Sequence, residues 1–478
     1  MRTHGRIEWD APPAVVADNL TIGPASTLTS RRIMLPRSVE PLTARDEALF
    51  LLHLAAEIEH SLLIQYLYAA YSLPSDAAAN ILNWRDSIKR IATQEMGHLI
   101  TVQNLLLSLG GAITMDREEF PYRSDFYPFP FCLEPLTRDS LAKYVSAEAP
   151  MPEIIATLPE AIKTIAIEAQ VRAQRIDGVG EINRVGALYA KIGKLIRDQL
   201  TDADFQLHTV NTFQARPDDL GGEGPTSPTP MASIPVWPID SASRAAEAID
   251  LIADQGEGTT SCDAESHFIQ FLEIYREFPE TNPRYGLVDP DCAPSLPVPT
   301  NPHTSPVAAV QVDLGAINDP LALQIALYSN LRYRLILDLL GHFLITDRSV
   351  FANCKSYLAA WALGSMSTLP ALYDCLTELP SQSPPVYVER KRVCGSTPFE
   401  MPFSLAVSPD RVSRWGNHVD VLKALLDLAA EIVADPAATQ EQRDMLGNFS
   451  TLDDRRLREI EDEILPAIQG TNDDCPFG

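Results

Sequence analysis

A carboxylate and an imidazole placed one helical turn apart constrain this chain more than any other feature. Glu95 and His98 lie in the stretch Ile-Ala-Thr-Gln-Glu-Met-Gly-His-Leu at 91–99, within a segment whose apolar residues recur at helical spacing. Residues three apart share one face of a helix, so both side chains are predicted to point toward the core. An ionised Glu without a partner is costly there. A bound metal ion is the usual remedy, so the pair is predicted to ligate a metal.

The hydrophobic pattern predicts an all-α protein. No segment shows a strong strand pattern, and no internal repeat is evident. The predicted helices cover about 43–73, 77–109, 152–175, 181–200, 242–254, 264–277, 319–345, 349–378, 417–434 and 438–467. The long first helix is apolar on almost every side, which is typical of a buried helix.

Shifts in composition predict four regions. Residues 1–40 are expected to form an N-terminal arm, and residues 41–277 a metal-binding helical bundle. Residues 278–318 are rich in proline and are expected to be a linker. Residues 319–478 are expected to form a C-terminal helical domain.

Charge and cysteine usage exclude some functions. The 478 residues carry a net charge of -26, which argues against binding to nucleic acid or to an anionic membrane. No run of about twenty apolar residues predicts a membrane span, and no N-terminal signal peptide is evident. The seven cysteines are scattered without a Cys-x-x-Cys pair, which favours reduced thiols and a cytoplasmic protein.

The first long helix offers further ligands. Glu59 recurs within its apolar stripe, with Tyr66 two turns later. Glu57 and His60 form a second Glu-x-x-His pair on a neighbouring stripe. Only one of these faces can look toward the bundle centre, and we favour Glu59. Glu57 and His60 are interpreted as bonding to neighbouring helices or reaching solvent.

The second candidate histidine lies much later in the chain. His267 precedes Phe268 on or beside a core stripe, but the residue three positions earlier is Ala264 rather than Glu. Glu257, from the preceding turn, is the predicted replacement. A lone helical histidine is more often a core residue than a ligand, and only the first motif makes this one a candidate. His342 and His418 are interpreted as structural.

Several motifs, in order and at similar spacing, resemble the ferritin-like domain of the iminophenylpyruvate dimer synthase group, which is of the violacein and rebeccamycin pathway type. They are Ala-Glu-Ile-Glu-His at 56–60, Gln-Glu-Met-Gly-His at 94–98, Ala-Glu-Ala-Pro at 147–150, Val-Gly-Ala-Leu-Tyr at 185–189, Gln-Gly-Glu-Gly at 255–258 and Ser-His-Phe-Ile-Gln-Phe at 266–271. The resemblance covers about residues 45–275. A weaker one, at 396–400, is to the tail found beside this domain.

The resemblance implies a ferritin-like four-helix bundle with an additional C-terminal helical region and a metal-carboxylate centre. Tyr66 is expected either to donate a hydrogen bond or relay a proton at the centre, or simply to pack. The aromatic loop at 120–131 is expected to cover the site entrance or to close a core. Carried over by position, the implied metal ligands are Glu59, Glu95, His98, Glu257 and His267.

Two departures from the group leave the number of metal ions open. Ala187 stands where the group often has Glu, and Ala264 breaks the second Glu-x-x-His motif. Both a mononuclear and a dinuclear centre remain compatible with the sequence. The other carboxylates that would complete it are Glu148, Glu181 and Glu265.

Carboxylate and imidazole ligands favour iron as the cofactor, with manganese, copper or zinc as alternatives. The resemblance implies the function of a metal-dependent oxidase or oxygenase acting on an amino-acid-derived small molecule in specialised metabolism. Peroxide dismutation of the manganese-catalase kind and a non-catalytic scaffold are the alternatives. The expected partners are a small-molecule substrate with O2 or peroxide, and neither nucleic acid nor membrane. Assembly into a homo-oligomer is left open.

Overall fold

A computed structural model provides the structure. It describes residues 7–10, 35–38, 42–122, 127–176, 184–205, 212–220, 234–257, 265–279, 294–306, 313–388, 390–403 and 405–469.

The chain is helical throughout most of its described length. Helices α1 to α9 are Ala44–Tyr71, Ala79–Ser108, Arg138–Ala147, Pro152–Thr157, Glu160–Ile176, Val185–Gln199, Asp202–Phe205, Ala242–Glu257 and His267–Glu277. Helices α10 to α15 are Pro320–Ile345, Arg348–Met366, Leu369–Thr377, Arg411–Ala434, Gln440–Arg458 and Leu465–Ile468. A 3₁₀ turn spans Pro217–Asp219, and a π-helical turn, Glu459–Ile464, joins α14 to α15. The predicted all-α fold class is confirmed.

The ends of the two longest N-terminal helices follow from local chemistry. At the start of α1, the Thr43 hydroxyl accepts a hydrogen bond from the Asp46 amide over 3.1 Å, which satisfies one free helix donor. After α2, Gly110 adopts a φ of 71°, and the Gly111 amide returns to the Leu106 carbonyl over 2.8 Å. Glycine is common at such helix ends because it adopts a positive φ without steric cost.

The structure differs from the sequence-based prediction in three helical segments. Helix α3, at 138–147, was not predicted; Thr137 and Ser140 form a reciprocal capping box at its start. The helix predicted over 152–175 is divided into α4 and α5, because Leu158 is extended before Pro159. The helix predicted over 349–378 is likewise divided, with α11 ending at Met366 and α12 beginning at Leu369.

Short strands are present although none was expected. Strand β1, Ile7–Asp10, pairs antiparallel with β2, Leu35–Ser38, within the region predicted to be an arm. Strand β3, Tyr387–Val388, pairs antiparallel with β4, Lys391–Arg392. In the described part of the chain, no helix combines the length and apolarity needed to cross a bilayer.

In the N-terminal half, α1 and α2 pack against each other. Helix α6 packs on α1 and α8, and α3 packs on α5 and α9. In the C-terminal half, α10 packs on α11 and α13, and α13 packs on α14. These contacts divide the helices into two groups; the exact domain boundaries predicted from the sequence stay a prediction.

A buried polar seam joins the two groups of helices. The Arg117 guanidinium donates to the Phe399 carbonyl and, over 3.3 Å, to the Tyr333 hydroxyl on α10. The same guanidinium stacks over Phe120, 4.4 Å from the ring centre. On α1, the Tyr68 hydroxyl contacts Ser396 Oγ at 3.0 Å. The segment 393–403 therefore lies between α1 and α10 and bonds to residues far away in sequence.

Two buried histidines pair with each other in the C-terminal half. His342 Nδ1 on α10 lies 3.0 Å from His418 Nε2 on α13, beside the ring of Trp415. Burial lowers the pKa of His418 to about 3. Burial and the neighbouring His418 lower the pKa of His342 well below its ordinary value. Both rings are therefore neutral in the folded protein, which fits the structural role predicted for them.

This pair should make the protein acid-sensitive. The unfolded chain binds protons at these rings below about pH 6.5, whereas the folded chain does not, so stability falls as the pH drops below that value. At pH 5 the loss should be about 2 kcal/mol for each imidazole. Denaturant unfolding at pH 7, 6 and 5 measures it. The His342→Leu/His418→Leu double variant should lose less stability over this range than the unmodified protein; an equal loss would contradict the assignment.

Candidate metal centre

Four helices bring five buried ligand-type side chains together. Helix α1 contributes Glu59, and α2 contributes Glu95 and His98. Glu148 directly follows α3, and His267 is the first residue of α9. Each of the five residues is at most 3% exposed. They form two triads that share Glu95, namely Glu59/Glu95/His98 and Glu95/Glu148/His267, and within each triad the ligand atoms lie within 4.8 Å of one another.

The first triad forms around His98 Nδ1. This nitrogen lies 3.0 Å from Glu95 Oε2 and 3.5 Å from Glu59 Oε2. The three-residue spacing on α2 places the first carboxylate beside the ring, and α1 brings the second from the opposite side. The structure brings these three residues together, and their role as metal ligands stays a prediction.

The second triad mirrors the first around His267 Nδ1. This nitrogen lies 2.9 Å from Glu95 Oε1 and 3.7 Å from Glu148 Oε2. The two oxygens of Glu95 therefore face two different imidazoles. If each triad held a metal ion, Glu95 would belong to both sets of ligands.

Tyrosine hydroxyls hold the outer oxygens of two of these carboxylates. Tyr66 donates to Glu148 Oε1, and Tyr189, on α6, donates to Glu59 Oε1. Burial, together with the nearby carboxylates, raises the pKa of both tyrosines well above the ordinary value. Both hydroxyls therefore keep their protons at neutral pH and act as hydrogen-bond donors.

The unpaired atoms of the cluster fit a metal ion. Within the described residues, Glu59 Oε2, Glu95 Oε1 and His267 Nδ1 are fully buried and lack a well-aligned hydrogen bond, although the last two atoms lie 2.9 Å apart. Leaving such atoms unsatisfied costs about 1–3 kcal/mol each. Carboxylate oxygens and imidazole nitrogens are the donors that iron, manganese and zinc accept. The residues present therefore fit a metal centre.

Electrostatics in the metal-free cluster follow from burial and charge. Burial and the Glu95 carboxylate raise the pKa of Glu59 to about 8. Burial opposes ionisation of Glu95, but the charge of His267 and hydrogen bonds to both imidazoles hold its pKa well below the ordinary value. Burial would lower the pKa of His267, yet the Glu95 carboxylate raises it to about 9. Positive charge thus collects around Glu95 even without an ion.

Glu57 and His60 lie outside the two triads. Glu57 accepts a hydrogen bond from Tyr127. The Tyr333 hydroxyl of α10 lies 2.6 Å from His60 Nε2. Burial and the charge of Arg117 lower the pKa of His60 to about 3, so its ring is neutral. Both side chains contact neighbouring elements, as interpreted from the sequence.

Other predicted contributors have different positions. Glu257 ends α8, and its side chain lies outside the described part of the structure, as does Glu181. Glu265 is exposed just before α9. In the aromatic loop, Tyr127 and Phe131 are buried and stack with their ring centres 4.3 Å apart.

Glu148 is the ligand candidate that sequence reasoning named only as a substitute. Its helix, α3, was not predicted, so nothing in the pattern placed the residue beside α2 and α9. The signal available was the Ala-Glu-Ala-Pro motif at 147–150, in which a carboxylate lies between two buried alanines. Tyr189, which lies two residues after Ala187 on α6, was not predicted to contact Glu59.

Two glycines allow close packing around the centre. Gly97 lies between the ligand candidates of α2, and a Cβ atom there would approach the Pro235 carbonyl oxygen to 2.4 Å. Asn104 holds the same passing segment by donating to the Trp237 carbonyl over 3.0 Å. At the end of α8, a Cβ atom on Gly256 would lie 3.1 Å from Glu148 Oε2. The backbone at both positions lies directly against its neighbour.

Comparisons with known proteins bear on the fold of this region. Residues 52–276 match the family model of ferritin-like domains, in agreement with the all-α fold of this part of the chain. Such domains commonly place one Glu from each of two helices and a Glu-x-x-His pair from each of the other two around their metals. This chain has the two single glutamates, one complete pair and the histidine of the second pair.

The chain also resembles particular proteins. Dichlorochromopyrrolate synthase of Lentzea aerocolonigenes is 24% identical over 279 residues, which are 50% of this chain but only 25% of that protein. The crystal structure of a ferritin-like protein from Caulobacter vibrioides aligns with a TM-score of 0.33 and 18% identity, over 68% of this chain and 96% of that one. The synthase and the domain match confirm the resemblance drawn from the motifs.

The shared carboxylate predicts how metal content responds to substitution. Glu95→Ala should abolish binding of both ions, because it removes a ligand from each triad. Glu59→Ala and Glu148→Ala should each lose one of two. Mass spectrometric metal analysis of the reconstituted protein measures the ratio. Glu57→Gln, a buried neighbour bonded to Tyr127, is the control and should keep the full content. One ion retained in Glu95→Ala would show that the triads do not share this residue.

Gly97 should be intolerant of a methyl group. Gly97→Ala forces the 234–239 segment or α2 to move, and overpacking of this kind costs about 1–3 kcal/mol. We expect lower stability by denaturant unfolding together with weaker metal retention. Gly416→Ala, in α13, is the matched control, since a Cβ there meets nothing within 4 Å. The control should stabilise the protein by about 0.5–1 kcal/mol. Equal gains in both variants would contradict the close packing at Gly97.

Proposed function

We propose that this protein is a metal-dependent oxidase or oxygenase, with non-haem iron as the metal, that acts on an amino-acid-derived small molecule in specialised metabolism. The observation that carries the proposal is the pair of buried triads sharing Glu95. A site of this kind suits a two-electron oxidation. Bound iron would supply that oxidising capacity, with O2 or peroxide as the terminal oxidant.

The chain's own residues position and enclose the reaction. Tyr66 and Tyr189 keep their protons and fix the outer oxygens of Glu148 and Glu59, so the inner oxygens face the centre. The side chain of Tyr66 also packs against Tyr144 and Phe271, with ring centres 4.9 and 4.8 Å away. This aromatic wall excludes water from the Glu148 side of the cluster. In the proposal, Tyr66 is the catalytic residue that donates a hydrogen bond there.

Two observations support a proposal for the chemical class of the substrate. Aromatic rings beside the second triad favour a substrate with an apolar, aromatic portion. The name of dichlorochromopyrrolate synthase is that of a biosynthetic enzyme, although the match to this chain covers only a quarter of the length of that protein. We therefore propose imines or enamines of aromatic 2-oxo acids as substrates. Joining two of them by a carbon–carbon bond removes two electrons and two protons, which reduce one peroxide to two waters.

The experiment combines metal reconstitution with a coupled assay. The protein is loaded anaerobically with Fe2+ and supplied with peroxide and an imine that an amino-acid oxidase makes from an aromatic amino acid. Mass spectrometry should detect a coupled dimer, reduced at least about 100-fold in Glu95→Ala, which has lost the shared ligand. Glu57→Gln should retain activity. A wild-type protein that binds no iron, or that forms no more product than Glu95→Ala, would overturn the proposal.

Peroxide dismutation is a second candidate because a carboxylate shared by two triads also suits a two-metal centre that cycles with peroxide. It is distinguished by oxygen evolution from peroxide in the absence of any imine. Rapid oxygen evolution by the manganese-loaded protein, without dimer formation by the iron-loaded protein, would favour this candidate over the first.

A further inference from the structure

Each imidazole of the centre is held at both of its nitrogens. Nδ1 of either ring faces the carboxylates, as described above. On the opposite side, His98 Nε2 lies 2.8 Å from Gln255 Oε1, and His267 Nε2 lies 3.0 Å from Gln94 Oε1. The two contacts are alike in atom type and length, although they join different helices.

The amide oxygen determines which nitrogen of the ring is free to bind an ion. A carbonyl oxygen can only accept, so the Nε2 atom that faces it must carry the proton. A neutral imidazole has only one protonated nitrogen, which leaves the lone pair on Nδ1. We propose that Gln94 and Gln255 are positioning residues that fix His267 and His98 as Nδ1 ligands. This inference rests on the proposed metal centre.

The same contacts fix the orientation of the rings and the helices that carry them. Gln94 directly precedes Glu95 on α2 and reaches across to α9, whereas Gln255 on α8 reaches back to α2. A rotation of either ring about its Cβ–Cγ bond would break its amide contact. The two contacts therefore connect α2 to α9 and α8 to α2 through the candidate ligands themselves. Outer partners of this kind commonly change metal affinity by 10–100-fold.

The neutrality of the amides sets the charge of the site. Three carboxylates and two neutral imidazoles supply three negative charges, so two divalent ions leave a net charge of +1. A carboxylate at each glutamine position would still accept the Nε2 proton but would bring the site to five negative charges. The glutamine amides thus accept the Nε2 protons without adding negative charge. The resulting charge of the site suits two divalent ions.

A structural role for the glutamines is separable from a positioning role. Gln103 is the matched control, because it is also a glutamine of α2, like Gln94, and is fully buried. Its amide bonds to the backbone of Thr114, over 2.8 and 2.9 Å, and not to a ligand. Loss of Gln103 should therefore affect stability without affecting the identity of the ligand atom.

The test uses added Zn2+ and Co2+ with the full-length protein. Gln94→Leu and Gln255→Leu should each weaken Zn2+ binding in competition titrations by about 10–100-fold and change the visible absorption of bound Co2+. Gln94→Glu and Gln255→Glu restore an acceptor and should recover Zn2+ affinity to within about threefold of the unmodified protein, well inside that range. Gln103→Leu should bind Zn2+ and Co2+ as the unmodified protein does.

Nuclear magnetic resonance of the histidine-labelled, Zn2+-loaded protein reads the ligand atom directly. The unmodified protein should show metal-bound Nδ1 and protonated Nε2 in both rings, and the Leu variants should lose this uniform pattern. Leu variants with unchanged affinity, or metal bound through Nε2 in the unmodified protein, would overturn the inference. Either result leaves the proposed function intact, because the protein still binds metal. An unmodified protein that binds neither ion overturns both.

Discussion

Two imidazoles on opposite sides of one buried carboxylate are the constraint on which the N-terminal half depends. Glu95 is 2% exposed, so its charge is shielded from bulk solvent. Ionisation there requires positive partners, and the structure provides them from α2 itself and from α9. The remaining carboxylates, on α1 and after α3, then balance those partners in turn. The packing of α1, α2, α3 and α9 is thus tied to one charge that cannot be buried alone.

The sequence predicted the parts of the site that a single helix encodes. Glu95 and His98 share one turn of α2, and Glu59 lies within an apolar stripe. The helical periodicity of the sequence therefore indicated these three residues as candidate ligands. Glu148 follows a ten-residue helix whose buried face includes Arg138 and Lys143, so no apolar stripe announced it. His267 became convincing only beside the first motif. Ligands that meet through tertiary packing leave no periodic signal in one sequence.

The fold could be predicted to a similar extent. Long apolar helices such as α1, α2 and α10 were evident, because burial on all sides is visible in composition. The breaks at Pro159 and after Met366 were not predicted; at the first, the extended backbone of Leu158 ends α4. The contact between Tyr68 on α1 and Ser396 joins residues 328 positions apart. No local pattern could have shown that Arg117 bonds to Phe399.

Placing the ligands on α1, α2, α3 and α9 has a consequence for biogenesis. During synthesis, the residues around Glu59 and Glu95 leave the ribosome long before His267 does. A nascent chain would therefore present an incomplete and strongly charged cluster until α9 packs. An ion that bound afterwards would tie the first helix of this half to its last, like a removable crosslink. Metal supply would then determine how long each newly made chain resists unfolding and proteolysis.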